Sequence, residues 1–179
     1  MVTRDEVARQ PLEQRTARLA RTADDLAAVI RGQPEAVLAR RPEASSWAPT
    51  EIICHLRDTE EMTLLRLEVI AALDEPMIAA AGMGARMLAL KPDGEPAAPE
   101  RWARDRQYLR NDPAEALGAF RRLREGTLVH LAALSPEQWR RAGMHPRRGP
   151  LTVEDFVSDM AWHDDNHVDQ LRRALSAIT

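Results

Sequence analysis

Three histidines carry most of the chemistry that this sequence can offer. His163 and His167 lie four residues apart in Met160-Ala161-Trp162-His163-Asp164-Asp165-Asn166-His167. On a helix that spacing puts them about 40° apart on one face. Within an arc of about 80° the same face holds Phe156, Met160, Leu171, Ala174 and Ile178. Both imidazoles thus occupy an apolar stripe where a bundle helix normally carries Leu or Ile, and a polar ring aimed at a core needs a partner. His55 falls at the edge of a second stripe, Ile52, Leu56, Thr59, Thr63, Leu67 and Ile70, about 40° from Thr59 and about 60° from Ile52. An i, i+4 pair joined by one ligand from a facing helix is how bundle cores build metal sites. Three neutral ligands leave a position for water or substrate, which is the catalytic arrangement for Zn²⁺. Imidazole suits Ni²⁺, Fe²⁺ and Co²⁺ as well, and an all-histidine set speaks against the two-histidine, one-carboxylate iron centres of oxygen chemistry. The competing reading is plain: HxxxH is a short motif, and a histidine at a core edge is often only hydrogen-bonded in place.

Acids flank these positions. Glu51 and Asp58 lie about 40° and 60° to one side of His55, and Asp159 and Asn166 sit at matching offsets from His163. Such groups are expected to accept the free ring N–H and fix the tautomer. One of the three carboxylates could instead act as general base on a bound water. Cys54 lies about 100° round from His55 and is poorly placed to join them.

The elements that must position these residues are helical. Pro11 to Arg31 reads as a first long helix with Leu12, Thr16, Leu19, Ala23, Leu26 and Ile30 on one side, closed by Gly32-Gln33-Pro34. A second helix begins at Pro49, a favoured first-turn proline behind a poor capper, Ala48, and runs to about Leu73. From Asp74 to Asn111 the pattern is broken by prolines and glycines, which predicts a long irregular connection. Trp102 and Tyr108 are expected to anchor it, or to form a lid or wall over a site. Asp112-Pro113-Ala114-Glu115 starts a third helix in capping-box order, with Leu117, Phe120, Leu123 and Leu131 inward and His130 on the surface. Ser135-Pro136-Glu137-Gln138 opens a short helix holding Trp139. After the loop Gly143 to Pro150, Thr152 caps a fourth helix that reaches about Ala177. Four such helices predict an all-α four-helix bundle, a single domain over residues 1–179, without period-two strands.

Composition agrees. The 179 residues are 44% hydrophobic, 30% charged and only 4% aromatic, with a formal net charge of −3. That charge gives no reason to expect nucleic acid or an anionic membrane as partner. The single cysteine rules out an internal disulfide and, with no signal-like or membrane-spanning stretch, points to the cytoplasm.

Two stretches carry a family resemblance. Trp47-Ala48-Pro49-Thr50-Glu51-Ile52-Ile53-Cys54-His55-Leu56-Arg57-Asp58-Thr59-Glu60 resembles the W-[ST]-x(2)-E-x(3)-H-L-x-D-x-E stretch of the DinB/YfiT-like superfamily. Gly149-Pro150-Leu151-Thr152-Val153, followed by His163 to Leu171, is similar to that family's second signature. The likeness spans most of the chain except residues 75–100. It implies an up-down-down-up four-helix bundle, commonly a homodimer, with Zn²⁺ or Ni²⁺ on the histidines matching His55, His163 and His167. Asn166 stands where the family often has another histidine. The resemblance also implies a small-molecule substrate: a low-molecular-weight thiol such as bacillithiol, mycothiol or glutathione, activated by the metal for S-transfer, with Arg147 and Arg148 as candidate carboxylate contacts. The alternatives it leaves are a hydrolase using metal-generated hydroxide, with Glu51, Asp58 or Asp159 handling the proton, and a non-catalytic metal-binding stress-response protein.

Overall fold

A computed structural model describes residues 2–78 and 99–178. In chain order the elements are α1 (Arg4–Ala8), α2 (Leu12–Ile30), α3 (Glu35–Leu38), α4 (Pro49–Ala72), α5 (Pro99–Asp105), a 3-10 turn (Tyr108–Arg110), α6 (Pro113–Ala133), α7 (Pro136–Trp139), the strands β1 (Ala142–His145) and β2 (Gly149–Thr152), and α8 (Val153–Ile178). Side-chain caps mark the starts of α6 and α8. Asp112 accepts hydrogen bonds from the amides of Ala114 and Glu115 at the head of α6. Thr152 and Asp155 bond each other's amides reciprocally at the head of α8. Ala48 offers α4 no side chain, and Glu51 reaches back to the Ala48 amide at 2.9 Å instead, satisfying one of the orphan donors of a helix start.

Side-chain contacts fix the helix directions. Arg15 meets Glu154 and Ser158, and further along Thr22 meets Asp164, so α2 and α8 run parallel. His55, early in α4, lies beside His163, whereas Ile70 near its end shares a core cluster with Val153 at the start of α8. Those two helices are therefore antiparallel. Arg57 bonds Asn111, just ahead of α6, and Glu60 bonds Thr127, so α4 and α6 run parallel. The topology is up-down-down-up. It explains the long connection after α4: parallel neighbours force the chain back along a bundle whose 21-residue α6 is about 30 Å long. The Pro/Gly-rich residues 79–98 of that connection lie outside the described residues. Beyond them, Trp102 and Tyr108 are both buried.

The structure departs from the sequence expectation in three places. Residues 142–152 form an antiparallel hairpin, with Ala142 paired to Thr152 and His145 to Gly149. Four-residue strands are too short to display a period. Close approach holds the hairpin on the bundle: a Cβ on Gly143 would collide with Ile78 and lie 2.9 Å from Ile70 Cγ1. Strand β1 also exchanges backbone hydrogen bonds with Pro76 and Ile78 after α4. Secondly, His130 is half-buried rather than a surface residue, with its Nε2 sheltered and unpartnered. Thirdly, α4 is buried on nearly every side of its first three turns, charged residues included, because α6, α8 and α5 all pack on it. Among the described residues no helix is long and apolar enough to cross a membrane.

Candidate metal centre

The antiparallel crossing of α4 and α8 brings the three histidines together. His55 comes from the second turn of α4, and His163 and His167 from successive turns of α8. Nε2 of His55 lies 3.1 Å from Nε2 of His163. One ligand nitrogen from each ring can be chosen so that all three lie within 4.8 Å of one another. Ring centroids are 4.3 Å apart for His163 and His167, 4.7 Å for His55 and His167, and 5.2 Å for His55 and His163. Two nitrogens each about 2.1 Å from one tetrahedral ion would stand about 3.4 Å apart, close to the 3.1 Å between the Nε2 atoms of His55 and His163. Nδ1 of His167 is engaged by Gln170 Oε1 at 2.7 Å, which leaves Nε2 as its ligating atom and fixes the tautomer. The Trp47 ring stands 4.9 Å from His55 and stacks near-parallel to His167 at 6.3 Å.

Electrostatics hold the rings in the ligating, neutral form. Burial, then repulsion from His163 and His167, pushes the His55 pKa down to about 2. Burial, with His167, Arg124 and Arg4 adding to it, pushes His163 to about 3. His167 is lowered by burial, against the opposing pull of Gln170 and Asp164. Three neutral imidazoles on one point suit a borderline divalent cation such as Zn²⁺ or Ni²⁺. His55 Nδ1 is buried without a hydrogen-bond partner, an orphan of the kind that functional sites tolerate.

The expected carboxylate partners are engaged elsewhere. Glu51 takes two hydrogen bonds from Arg41, at 2.8 and 2.5 Å, besides that from Ala48. Asp58 is fully buried, accepts hydrogen bonds from Arg57 Nε and Tyr108 Oη at 2.8 and 2.6 Å, and forms an ion pair with Arg106 at 2.6 Å. Asp159 pairs with Arg4 and Arg148 while lining a small cavity that also touches His163. Asn166 bonds the carbonyl of Trp162 on its own helix. Cys54 is buried, and burial raises its thiol pKa to about 11, so it supplies no thiolate.

Two features escape the sequence reading. A cleft of about 990 Å³ opens beside the histidines, walled by Trp47, Met62 and Trp102 and by His145 from the hairpin. Nδ1 of His145 accepts the amides of Arg147 and Arg148, so a neutral ring carries its proton on Nε2. No helical spacing could link this loop histidine to the others. The second is a buried ionic cluster behind His163. Arg124 donates to Glu60 at 2.9 and 2.7 Å, to Asp164 at 2.6 Å, and to the Leu19 carbonyl at 2.9 Å. Thr22 and Thr127 complete it, so all four long helices contribute.

Residues 18–171 match the DinB superfamily by sequence. The chain belongs to the DinB superfamily. Its fold is also that of a solved relative: YfiT from Bacillus subtilis superposes with a TM-score of 0.76 at 16% identity, over 98% of this chain and 89% of that one. YfiT is described as a probable metal-dependent hydrolase with an unusual four-helix bundle topology. No curated protein matches the sequence. The DinB match spans the elements that bring His55, His163 and His167 together.

The depressed histidine pKa values set a pH dependence for the metal-free protein. The unfolded chain takes up protons on these rings near pH 6.5, whereas the native rings resist to far lower pH. Below about pH 6.5 the unfolded state binds more protons, so stability is present above that pH and is lost as pH falls. His55 and His163 should each cost about 1.4 kcal/mol between about pH 7.5 and 5.5. Urea unfolding of chelator-treated protein measures this loss, and a His163→Leu variant should lose correspondingly less. A profile flat across that interval would sink the claim that the rings are buried and neutral.

Proposed function

We propose that this DinB-superfamily protein is a metal-dependent S-transferase acting on a low-molecular-weight thiol, with His55, His163 and His167 holding Zn²⁺ or Ni²⁺. The observation that favours thiol chemistry is the engagement of Glu51, Asp58 and Asp159 in ion pairs with arginines rather than with the three rings. A water nucleophile profits from a positioned proton acceptor, whereas a thiol becomes nucleophilic on losing a proton already near its ordinary pKa. A divalent ion on three neutral imidazoles supplies that shift in acidity. Gln170 orients His167, Trp47 covers one side of the cluster, and Met62 and Trp102 exclude water from the wall of the cleft. His145 lines the same cleft.

A hydrolase is the second reading, favoured by Asp159, which lines the cavity adjoining His163. Thermal shifts of zinc- and nickel-loaded protein against cysteine, glutathione, bacillithiol and mycothiol separate the two. At a hundredfold excess over Kd a bound thiol should add about 2.7 kcal/mol, raising Tm by roughly 5–10 °C, and chelation should abolish the shift. Absence of any metal-dependent thiol shift, with turnover of an activated ester, would decide for hydrolysis. Neither response would leave a non-catalytic metal-binding protein.

A further inference from the structure

The ring of His167 is met by an uncharged group. Gln170 stands nearly one turn further along α8, and its Oε1 lies 2.7 Å from His167 Nδ1. A ring that ligates through Nε2 carries its proton on Nδ1, so Nδ1–H donates and the amide oxygen accepts. The chemistry of that acceptor matters. A carboxylate there makes the ring a more basic ligand and sets a negative charge close to the ion, whereas an amide oxygen only fixes the tautomer.

Acids are plentiful around the histidines, and packing turns them to other partners. Glu51 faces Arg41, Asp58 faces Arg57 and Arg106, and Asp159 faces Arg4 and Arg148. Asp169, two residues beyond His167, pairs with Arg172. Asp164, whose charge acts on His167, is held by Arg124 and Thr22. Nδ1 of His55 has no hydrogen-bond partner. Among the described residues no carboxylate bonds any of the three rings. Gln170 also lines the cleft, as do all three histidines.

We infer that Gln170 is a positioning residue that tunes the centre for an anionic fourth ligand. Its uncharged oxygen holds His167 in the ligating tautomer and leaves the charge of a divalent ion undiminished by a bonded carboxylate. A thiolate, a hydroxide or a pseudohalide in the open position gains from that charge, and a neutral ligand gains less. The inference rests on the three-histidine reading of the site and not on which reaction follows there.

Two measurements at one fixed pH test it: zinc affinity by competition with a chelating dye, and binding of thiocyanate to cobalt-loaded protein, read from the visible absorption of the ion. The near-isosteric Gln170→Glu variant should bind zinc about tenfold tighter than the parent and thiocyanate about fivefold more weakly. Gln170→Leu, which deletes the acceptor, should bind zinc at least about tenfold more weakly. A merely structural role would weaken zinc in both variants and leave thiocyanate unmoved, and either result for Gln170→Glu overturns the inference. If Gln170→Leu fails to fold, Gln170→Glu decides alone, because it keeps the length and shape of the side chain. A parent protein that takes up no cobalt overturns the inference together with the three-histidine reading. Cobalt-loaded parent that binds no thiocyanate overturns the inference alone. Gln170-dependent thiocyanate binding without any thiol response leaves the inference standing and sinks the thiol reading.

Discussion

Replacing His163 with leucine should remove the metal while leaving the protein at least as stable as its metal-free parent. The ring sits in the apolar stripe of α8 between Met160 and Leu171, both buried, and burial holds its pKa near 3. Leucine matches the volume roughly and removes a desolvated polar group from that stripe. The loss falls on binding. Disturbing a hydrogen-bond partner of a metal ligand typically costs 10–100-fold in affinity, so deleting a ligand should cost at least about 100-fold. Elemental analysis of protein purified without chelator or affinity tag should find about one divalent ion per chain, because the three ring nitrogens lie within 4.8 Å of one another and converge on a single ion. The triple His55→Ala/His163→Ala/His167→Ala variant should hold almost none. Equal metal in parent and triple variant would end the three-histidine assignment. Urea unfolding supplies the other half: only the parent should gain stability when zinc is added.

Arg124→Ala should be the most damaging single substitution away from the metal centre. Arg124, Glu60 and Asp164 are each at most 3% exposed. Burial works against the guanidinium charge, but Asp164 and Glu60 outweigh it and raise its pKa further above the usual arginine value. Truncation would leave two carboxylates buried side by side without their cation. Breaking one partner out of a buried ionic cluster costs about 3–5 kcal/mol, a large part of the 5–15 kcal/mol that typically holds a domain together. Denaturant titration should show a lower midpoint with an unchanged slope. Replacing all three charges by apolar residues of similar volume is expected to restore much of the loss. If Arg124→Ala costs less than about 1 kcal/mol, the cluster is not the buried, mutually dependent unit that its hydrogen bonds describe.

That cluster left a trace in the sequence. Glu60 continues the i+4 row of Ile52 and Leu56. Arg124 stands between Phe120 and Leu131 at stripe positions, and Asp164 falls in the row Val157, Met160, Val168, Leu171. A charge on a core stripe can be stabilised by an opposite charge on a facing stripe, so three such residues on three helices point to one buried site. What periodicity does not give is which stripes face each other.

The hairpin shows a different limit. Nothing local in Ala142 to Thr152 demands strands. Gly143 is required there because Ile70 and Ile78 occupy the space of a side chain, and both come from 65 or more residues earlier in the chain.

The sequence by itself determined the helices, their caps and the faces on which His55, His163 and His167 lie, because helical geometry is local and repeats every 3.6 residues. It also determined that two imidazoles would stand in an apolar stripe and need a partner. Periodicity did not say which stripes face each other: the resemblance implied an antiparallel crossing of α4 and α8, and the tertiary structure decided it, placing His55 against His163. It also decided that the acids flanking the histidines turn to Arg41, Tyr108, Arg106 and Arg148 rather than to the rings. An acid on a helix bonds whichever donor packing brings within about 3 Å, and for Asp58 that donor lies 50 residues along the chain. No spacing in the sequence carries that information.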